Sequence, residues 1–259
     1  MTVLRTVAGG PVGEIVLDRP EARNALSGEM CRAIAGALAE VDRSDARALL
    51  LRGQGKVFCS GADFAAVSGP GGLDFLPAFE GMLEAVAGFR LPTVAAIQGG
   101  AHGGGFQLAA VCDFRIAAAD AQLGIPAARI GIAVNLENVQ RLVRLAGVAR
   151  AKEILIAGRT FSGAEAETAG LVTRAVPAAE LDGAARRFAE DVAALSPLSV
   201  QGAKAAIGLV ERGLSDARAW SPGDAERIDA LVERAYRSAD LQEGLAALAE
   251  RRPPRFQNE

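Results

Sequence analysis

Short apolar runs alternate with longer segments of helical periodicity along the first part of the chain. The runs at 2–7 and 12–18 are separated by Gly-Gly-Pro and predict a β-hairpin. Residues 27–43 carry apolar or small side chains at helical spacing, and Ser27 is placed to cap that helix. The same criteria predict strands at 46–53, 57–60, 92–99, 113–118 and 121–124, and helices at 73–89 and after Gly105. This repeated β-β-α order predicts an α/β domain with helices packed around sheets.

The C-terminal part of the chain reads as helical throughout. Residues 177–195 predict an amphipathic helix with one apolar face, formed by Leu181, Ala184, Phe188, Val192 and Leu195. Further helices are predicted near 199–212, 222–238 and 240–251, the last two starting at Ser221-Pro222 and at Asp240. We therefore divide the chain into a core over 1–196 and a helical region over 197–259, which packs onto the core or onto another subunit.

The composition is that of an ordinary globular protein with 259 residues, of which 50% are hydrophobic and 23% charged. A net charge of −3 argues against a nucleic-acid partner. No apolar run approaches the roughly 18 residues that a membrane span requires. The first twenty residues lack the apolar core of a signal peptide. We expect a cytoplasmic protein without a membrane span.

The cysteines and the single histidine exclude several kinds of site. Cys31, Cys59 and Cys112 are far apart and lack CxxC spacing, which predicts reduced, buried thiols. His102 is the only histidine in the sequence. This argues against a Ser-His-Asp triad and against a metal centre built from several histidines. We therefore predict no metal site.

Two glycine-containing segments are the strongest candidates for chemistry. They are FCSGADF at 58–64 and GGAHGGGFQLAAVCD at 99–113. Glycines let a ligand approach the backbone, and the start of a helix offers unpaired N–H groups, so these segments suit an anion or a developing oxyanion. The second segment is neither a dinucleotide fingerprint nor a P-loop, because the required glycine spacing and the Gly-Lys-Ser/Thr are missing.

Five stretches of the chain, two of which contain these segments, resemble the crotonase (enoyl-CoA hydratase/isomerase) superfamily. The matching stretches are LDRPEARNALS (17–27), GKVFCSGADF (55–64), LPTVAAIQGGAHGGGFQLAAVCDFRIAA (91–118), GVARAKEILIAGRTFSGAEAETAGLV (147–172) and ERRPPRFQ (250–257). The resemblance implies a crotonase/ClpP-like spiral of β-β-α units and a C-terminal helical region that trimerises. It also implies an acyl-CoA thioester as ligand, a homotrimer or dimer of trimers, and no cofactor beyond the CoA of the ligand.

The resemblance assigns roles to particular residues. The backbone N–H groups of Ala62 and Gly104 are expected to bind the thioester carbonyl oxygen as an oxyanion hole. The CoA portion is expected to lie against residues of the same segments, namely Ala22, Arg23, Ala25, Gly61, Ala62, Asp63, Phe64 and Gly104.

The sequence departs from the resemblance at the two positions that carry acid–base chemistry. Hydratases of the family place glutamates where this chain has Gln107 and Ala127. Glutamine does not accept a proton at neutral pH, and alanine has no polar group. The acid that isomerases use corresponds to Asn135, which is also neutral. Glu137 is the best remaining carboxylate, although the first turn of a helix also favours an acid for structural reasons.

Three hypotheses about function follow from this pattern. The first is an acyl-CoA-binding protein of fatty acid metabolism with an intact oxyanion hole and little or no hydratase activity. The second is an active hydratase or isomerase that uses a non-standard acid or base such as Glu137. The third is a structural oligomer that has lost its ligand, and the two preserved glycine segments argue against it.

Overall fold

The computed structural model describes residues 4–7, 9–63, 72–213 and 222–255. Its strands are β1 (Leu4–Val7), β2 (Val12–Leu17), β3 (Ala48–Gly53), β4 (Thr93–Ile97), β5 (Gly100–His102), β6 (Phe114–Ala118), β7 (Gln122–Gly124), β8 (Phe161–Ser162) and β9 (Arg174–Val176). Its helices are α1 (Gly28–Asp42), α2 (Gly72–Ala87), α3 (Gly104–Ala110), α4 (Leu136–Leu155), α5 (Gly163–Thr168), α6 (Leu181–Ala193), α7 (Pro197–Gly213), α8 (Pro222–Tyr236) and α9 (Ala239–Glu250). Short 3-10 turns cover Pro20–Ala22, Ala127–Ile130 and Ala178–Glu180. The predicted α/β class and the C-terminal helices are confirmed.

A six-stranded sheet in the order β1-β2-β3-β4-β6-β9 forms the centre of the fold. The hairpin of β1 and β2 is antiparallel, as predicted, and the remaining neighbours are parallel. β2 and β4 are buried along their whole length. Such burial on both faces is typical of parallel strands covered by helices, and it explains why they read as continuous apolar runs.

Helices cover both faces of this sheet, and consecutive residues of β2 show how. Val41 of α1 lies 2.6 Å from the point where Gly13 would carry a Cβ, so this position faces α1. The next residue, Glu14, forms an ion pair with Arg186 of α6, so it faces the opposite side. A second, three-stranded sheet has the order β5-β7-β8.

The helix α7 is held to its surroundings by a partly buried polar cluster. The Lys204 ammonium donates to Oδ2 of Asp113 at 2.6 Å and to the carbonyl oxygen of Leu91 at 2.8 Å. The same carboxylate oxygen accepts from the backbone N and Oγ1 of Thr93 at 2.7 and 2.9 Å. Asp113 therefore has partners on α7 and on β4 and ties these two elements together.

Contacts divide the chain into two compact units, residues 1–123 with 161–210 and residues 124–160 with 211–259. The second unit contains the Ala127–Ile130 turn, α4, α8 and α9. In it, Gly244 lies against the backbone of Ile130, whose carbonyl oxygen is 2.5 Å from the position of a Cβ. The predicted split at residue 196 does not coincide with these units and stays a prediction about domains.

Three local predictions need correction. Residues 57–60 do not form a strand, because Cys59 makes only an isolated bridge. α9 is capped by Ser238, whose Oγ accepts from the Leu241 amide at 3.1 Å, and so begins before the predicted Asp240. The buried face of α6 is centred on Leu181, Ala185, Ala189 and Ala193. Alanines let the helix approach the sheet closely, whereas Leu195 of the predicted face is 56% exposed.

Among the described residues, no single helix is long and apolar enough to cross a bilayer. One pair of consecutive helices, 178–193 and 197–211, reaches that length and composition only together and is bent by 102°.

Candidate functional site

The two glycine-containing segments predicted from the sequence run side by side. The Cys59 amide donates to the carbonyl oxygen of Gly100 at 3.2 Å, and the His102 amide donates to the carbonyl oxygen of Cys59 at 3.0 Å. This parallel bridge joins segment 58–64 to segment 99–113. Two main-chain hydrogen bonds thus join segments that lie about 40 residues apart in the sequence.

The first segment also pairs with the chain before α1. The Leu26 amide donates to the carbonyl oxygen of Gly61, and the Asp63 amide donates to that of Leu26, both at 2.8 Å. In such a bridge the N–H of the residue between the two partners, Ala62, points away from Leu26. The second segment is close to this point, since the position of a Cβ on Gly61 is 3.5 Å from the Gly104 nitrogen.

The amides of Ala62 and Gly104 are available to a ligand. Neither donates a backbone hydrogen bond within the part of the chain that the structure describes. Gly104 opens α3, where the first N–H groups have no partner inside the helix. Because α3 has only seven residues, the N–H groups themselves, more than a helix dipole, give this place its hydrogen-bonding capacity.

The other glycines of the second segment serve close packing. A Cβ on Gly105 would lie 2.4 Å from the carbonyl oxygen of Cys59, so α3 rests directly on the neighbouring segment. Gly99 has φ +59°, and a Cβ there would lie 2.0 Å from the carbonyl oxygen of Lys56. Glycine is needed at both positions because any side chain would push the two segments apart.

An apolar wall stands beside Gly104. The ring of Phe79 and the side chain of Leu26 lie 3.1 and 3.4 Å from the position of a Cβ on Gly104. Phe79 is buried and stacks on Phe75, with ring centroids 5.5 Å apart and an interplanar angle of 17°. Sequence reasoning missed this pair as part of the site. Its i, i+4 spacing in α2 marks a shared helix face, but it does not show what that face meets.

The turn that carries Ala22, Arg23 and Ala25 is rigidly built. Arg23 and Asn24 have φ of 52° and 54°, in the left-handed region. The fully buried Asn24 side chain donates to the carbonyl oxygens of Gln54 and Val57, both at 2.9 Å. Asparagine tolerates this conformation and supplies the donors, so it fixes the turn beside the first glycine segment.

This turn and the first segment are linked twice more. The carbonyl oxygen of Arg23 accepts from the Ser60 amide at 3.1 Å. The Arg19 guanidinium donates to Asp63 Oδ2 at 3.1 Å and to the carbonyl oxygen of Ala25 at 3.1 Å. Asp63 thus has a partner that holds its loop. Phe64, predicted to lie beside the CoA, is outside the described residues.

His102 belongs to the second segment and is half-buried. Burial lowers the pKa of its imidazole, and the positive charge of Arg23 lowers that pKa further. The side chain is therefore uncharged at neutral pH. Its Nε2 lies 2.8 Å from the position of a Cβ on Gly100, which indicates a packed side chain.

Gln107 projects from α3 one turn after Gly104. Its Oε1 is enclosed, and within the described part of the protein it has no hydrogen-bond donor. Gln107 follows Gly104 by three positions, so both lie on the same side of the helix.

The buried Arg115 guanidinium anchors the far end of α3. It donates to the carbonyl oxygens of Ala109 at 3.3 Å, Cys112 at 2.5 Å and Leu171 at 2.9 Å. A cation is favourable at the C-terminal end of a helix, where carbonyl groups lack partners. Arg115 therefore fixes the helix that carries Gly104 and Gln107, a role that sequence reasoning did not identify.

Ala127 and Glu137 belong to the second unit. Ala127 begins the Ala127–Ile130 turn. Glu137 lies in the first turn of α4, with a side chain 48% exposed and ion-paired with Arg141. The Asn135 side chain caps the same helix, accepting from the Asn138 amide at 3.0 Å.

A cavity of about 200 Å³ lies elsewhere in the first unit, between the sheet and α6. Charged side chains line much of it, among them Glu14, Arg52 and Arg186, and none of the predicted site residues takes part. Glu14 pairs with both arginines, at 3.3 Å from Arg52. Within the described residues, no group of three or more His, Cys, Asp or Glu side chains is arranged to hold a metal ion.

The fold and this site define a class of proteins, and comparison with known proteins identifies it. A profile described as enoyl-CoA hydratase/isomerase matches residues 8–259. A probable enoyl-CoA hydratase of Mycobacterium tuberculosis is 37% identical over 251 residues, covering 95% of this chain and 94% of that protein. The human enoyl-CoA hydratase domain-containing protein 2, mitochondrial, is 35% identical over 268 residues, covering 98% of this chain and 88% of that protein.

A solved structure gives the same result. The crystal structure of an enoyl-CoA hydratase/isomerase from Pseudoalteromonas atlantica superposes with a TM-score of 0.86 at 29% identity, covering 99% of this chain and 100% of that one. The chain belongs to the enoyl-CoA hydratase/isomerase family. The resemblance to the crotonase superfamily inferred from its sequence is confirmed.

Proposed function

We propose that this protein binds the acyl thioester of CoA in the cytoplasm and hydrates enoyl thioesters slowly or not at all. One observation carries the binding half of the proposal. The amides of Ala62 and Gly104 are both without backbone partners in the described residues, on two segments that meet at Gly61. Two unpaired N–H groups on adjoining segments suit a carbonyl oxygen that gains negative charge, as in an oxyanion hole.

The surroundings of these amides favour a thioester. Phe79 and Leu26 flank Gly104 with apolar side chains. An apolar wall suits the hydrocarbon part of an acyl group and strengthens hydrogen bonds to its carbonyl by excluding water. Arg23, exposed on the turn that pairs with Ser60, offers a positive charge for the phosphates of CoA.

The residues at the usual acid–base positions support the low-turnover half of the proposal. Hydration needs a group that activates water and a group that delivers a proton, and each contributes about 100- to 10,000-fold. Gln107 and Ala127 provide neither, because an amide does not titrate near neutral pH and a methyl group is apolar. The protein is thus proposed to keep the affinity of the family and to lose most of its rate.

The alternative is an isomerase that uses Glu137. Its carboxylate is half-exposed, pairs with Arg141 at i, i+4 and lies in the first turn of α4. All three properties are typical of an acid that stabilises a helix start. They favour the binding function over the isomerase.

Self-association into a trimer or dimer of trimers is part of the proposal. Apolar side chains on α7 are left uncovered in the single chain, with Leu198 85%, Ile207 60% and Val210 62% exposed. Exposed apolar groups on one helix favour contact with another copy. Sedimentation velocity at several concentrations tests this, and a monomer throughout would contradict it.

The function is tested by calorimetry and by a hydration assay. We expect butanoyl-CoA to bind more tightly than CoA alone, and wild-type turnover of crotonyl-CoA to stay near background. The double variant Gln107→Glu with Ala127→Glu restores both carboxylates, and we expect it to hydrate at least about 100-fold faster than wild type.

A matched control introduces the same residues elsewhere. Gln122→Glu with Ala39→Glu changes exposed positions and is expected to leave turnover at background. Wild-type turnover equal to that of an active hydratase would contradict the low-turnover half. Absence of butanoyl-CoA binding would contradict the binding half.

A further inference from the structure

The cavity between the sheet and α6 offers a second place for a ligand, apart from the thioester site. β3 and β4 line it with Arg52 and Ala96, which are in register, and α6 lines it with Ala185. The two alanines are small, so the sheet and the helix leave a space between them. Protein interiors are otherwise closely packed, and a polar space of this size holds water or a ligand. We propose that it binds a small α-amino acid as a zwitterion.

The two arginines of the cavity supply the half that binds a carboxylate. Both pair with Glu14, whose side chain is 6% exposed: Arg52 Nε lies 3.3 Å from Oε2, and Arg186 Nη2 pairs with Oε1. A guanidinium carries five N–H donors in a planar fork that matches a carboxylate, so pairing with Glu14 leaves further donors of both arginines. Their side chains are 29% and 47% exposed, so a small solute can reach them.

Asp182 supplies the half that binds an ammonium group. It lies on α6 one turn before Arg186, lines the same cavity and is exposed. Arg186 pairs with Glu14 across the cavity and not with Asp182 at i, i+4, which leaves the Asp182 carboxylate to a cation from solution. Two acids balance two arginines, so the lining is neutral as a whole. Such a lining is complementary to a neutral ligand that carries both charges, more than to a simple anion.

The volume limits the ligand to a small amino acid. A water molecule takes up about 30 Å³ in the liquid, so about 200 Å³ holds a ligand of roughly six or seven non-hydrogen atoms, such as alanine or serine. Leu50 completes the lining and offers, with the two alanines, an apolar surface for a short side chain. A purely structural ion-pair cluster would account for Glu14 and its arginines, but for neither the space nor the exposed Asp182.

Calorimetry on the full chain with alanine, propanoate and ethylamine tests the inference. Propanoate lacks the ammonium group of alanine, and ethylamine lacks its carboxylate. We expect alanine to bind with a Kd of about 1 mM, as suits so small a ligand, and each fragment to bind at least about tenfold more weakly. Propanoate binding as tight as that of alanine would show that the ammonium group is not recognised and would overturn the zwitterion.

Two variants locate the site. Asp182→Asn removes a charge at an exposed position, and we expect it to weaken alanine binding by about tenfold without weakening that of propanoate. Arg186→Gln should weaken the binding of both, because it removes donors to the carboxylate. Asp191→Asn and Arg187→Gln change exposed residues of the same helix and are the matched controls, expected to bind alanine as wild type does.

The remaining outcomes decide the assignment. If alanine does not bind wild type at ten times the expected Kd, the cavity holds water only and the inference is wrong. Alanine binding that persists in both Asp182→Asn and Arg186→Gln places it elsewhere and overturns the site. Should Arg186→Gln not fold, Asp182→Asn alone decides. Butanoyl-CoA should bind wild type equally with and without alanine, because none of the predicted site residues lines the cavity. Failure of this inference therefore leaves the proposed function standing.

Discussion

The carbonyl oxygen of His102 lies 2.7 Å from the point where Gly61 would carry a Cβ. Gly61 also has φ +102°, a conformation that L side chains rarely adopt. The two segments that carry the Ala62 and Gly104 amides therefore approach each other only because residue 61 has no side chain.

Replacing Gly61 should damage this approach. We expect Gly61→Ala to lower stability by about 1–3 kcal/mol, through overpacking and backbone strain. Butanoyl-CoA binding should weaken by at least tenfold, because the methyl group would displace the His102 carbonyl and with it the Gly104 amide. Urea unfolding and calorimetry measure the two effects.

Gly36 provides the matched control. It is exposed in α1, and a Cβ there would meet no atom within 4 Å. Gly36→Ala should raise stability by up to about 1 kcal/mol and leave binding unchanged. Wild-type stability and affinity in Gly61→Ala would show that the close contact does not hold the site together.

Lys204 and Asp113 form an ion pair between residues that are far apart in the sequence. The ammonium is 16% exposed and bonds both the carboxylate and the Leu91 carbonyl oxygen. We expect Lys204→Met to cost about 1.5–3 kcal/mol, the usual contribution of hydrogen bonds to charged groups. Urea unfolding of Lys152→Met, at an exposed lysine of α4, gives the baseline. Equal unfolding midpoints for the two variants would assign no stabilising role to the Lys204 contacts.

Glu243 should make stability depend on pH in the acid range. Hydrogen bonds from the Arg252 side chain, and then from the Arg255 amide, lower the pKa of its carboxyl from 4.5 to about 2. A lowered pKa in the folded state means that the stabilisation is complete above about pH 4.5. It is lost as pH falls toward about 2.

The variant Glu243→Gln isolates this contribution. Wild type should have the higher urea midpoint at pH 7, and the difference should shrink below about pH 4.5. Glu40→Gln, at an exposed carboxylate of α1, should show no such trend. A difference between wild type and Glu243→Gln that stays constant from pH 7 to pH 3 would refute the linkage.

The three cysteines should be inert in the native protein. Burial raises the pKa of Cys31, Cys59 and Cys112 to about 12, so very little reactive thiolate is present at pH 8. A colorimetric thiol reagent should therefore find no reactive thiol in the folded chain and three after unfolding in denaturant. Rapid labelling of the folded protein would contradict this.

Much of the architecture was readable from the chain. The α/β class, the N-terminal hairpin, the Ser27 cap and the helical C-terminal part followed from periodicity, because side-chain burial repeats with the geometry of strands and helices. The two glycine segments were identified by composition. The neutral character of Gln107 and Ala127 was equally plain, since side-chain chemistry is a property of the sequence itself. The local pattern misled at the start of α9, where Asp240 was predicted and Ser238 caps the helix.

What only the tertiary structure decided is which segments meet. The bridge between Cys59 and Ala101, the closeness of Gly61 to His102 and the position of Phe79 beside Gly104 join residues that no local pattern connects. The apolar run at 57–60 reads as a strand, yet it finds a pairing partner at one residue only. The sequence determined the secondary-structure elements, because these depend on neighbours along the chain, and it determined the chemical groups directly. Packing of the sheet against its helices decided the site, because contacts across the fold depend on shape in three dimensions.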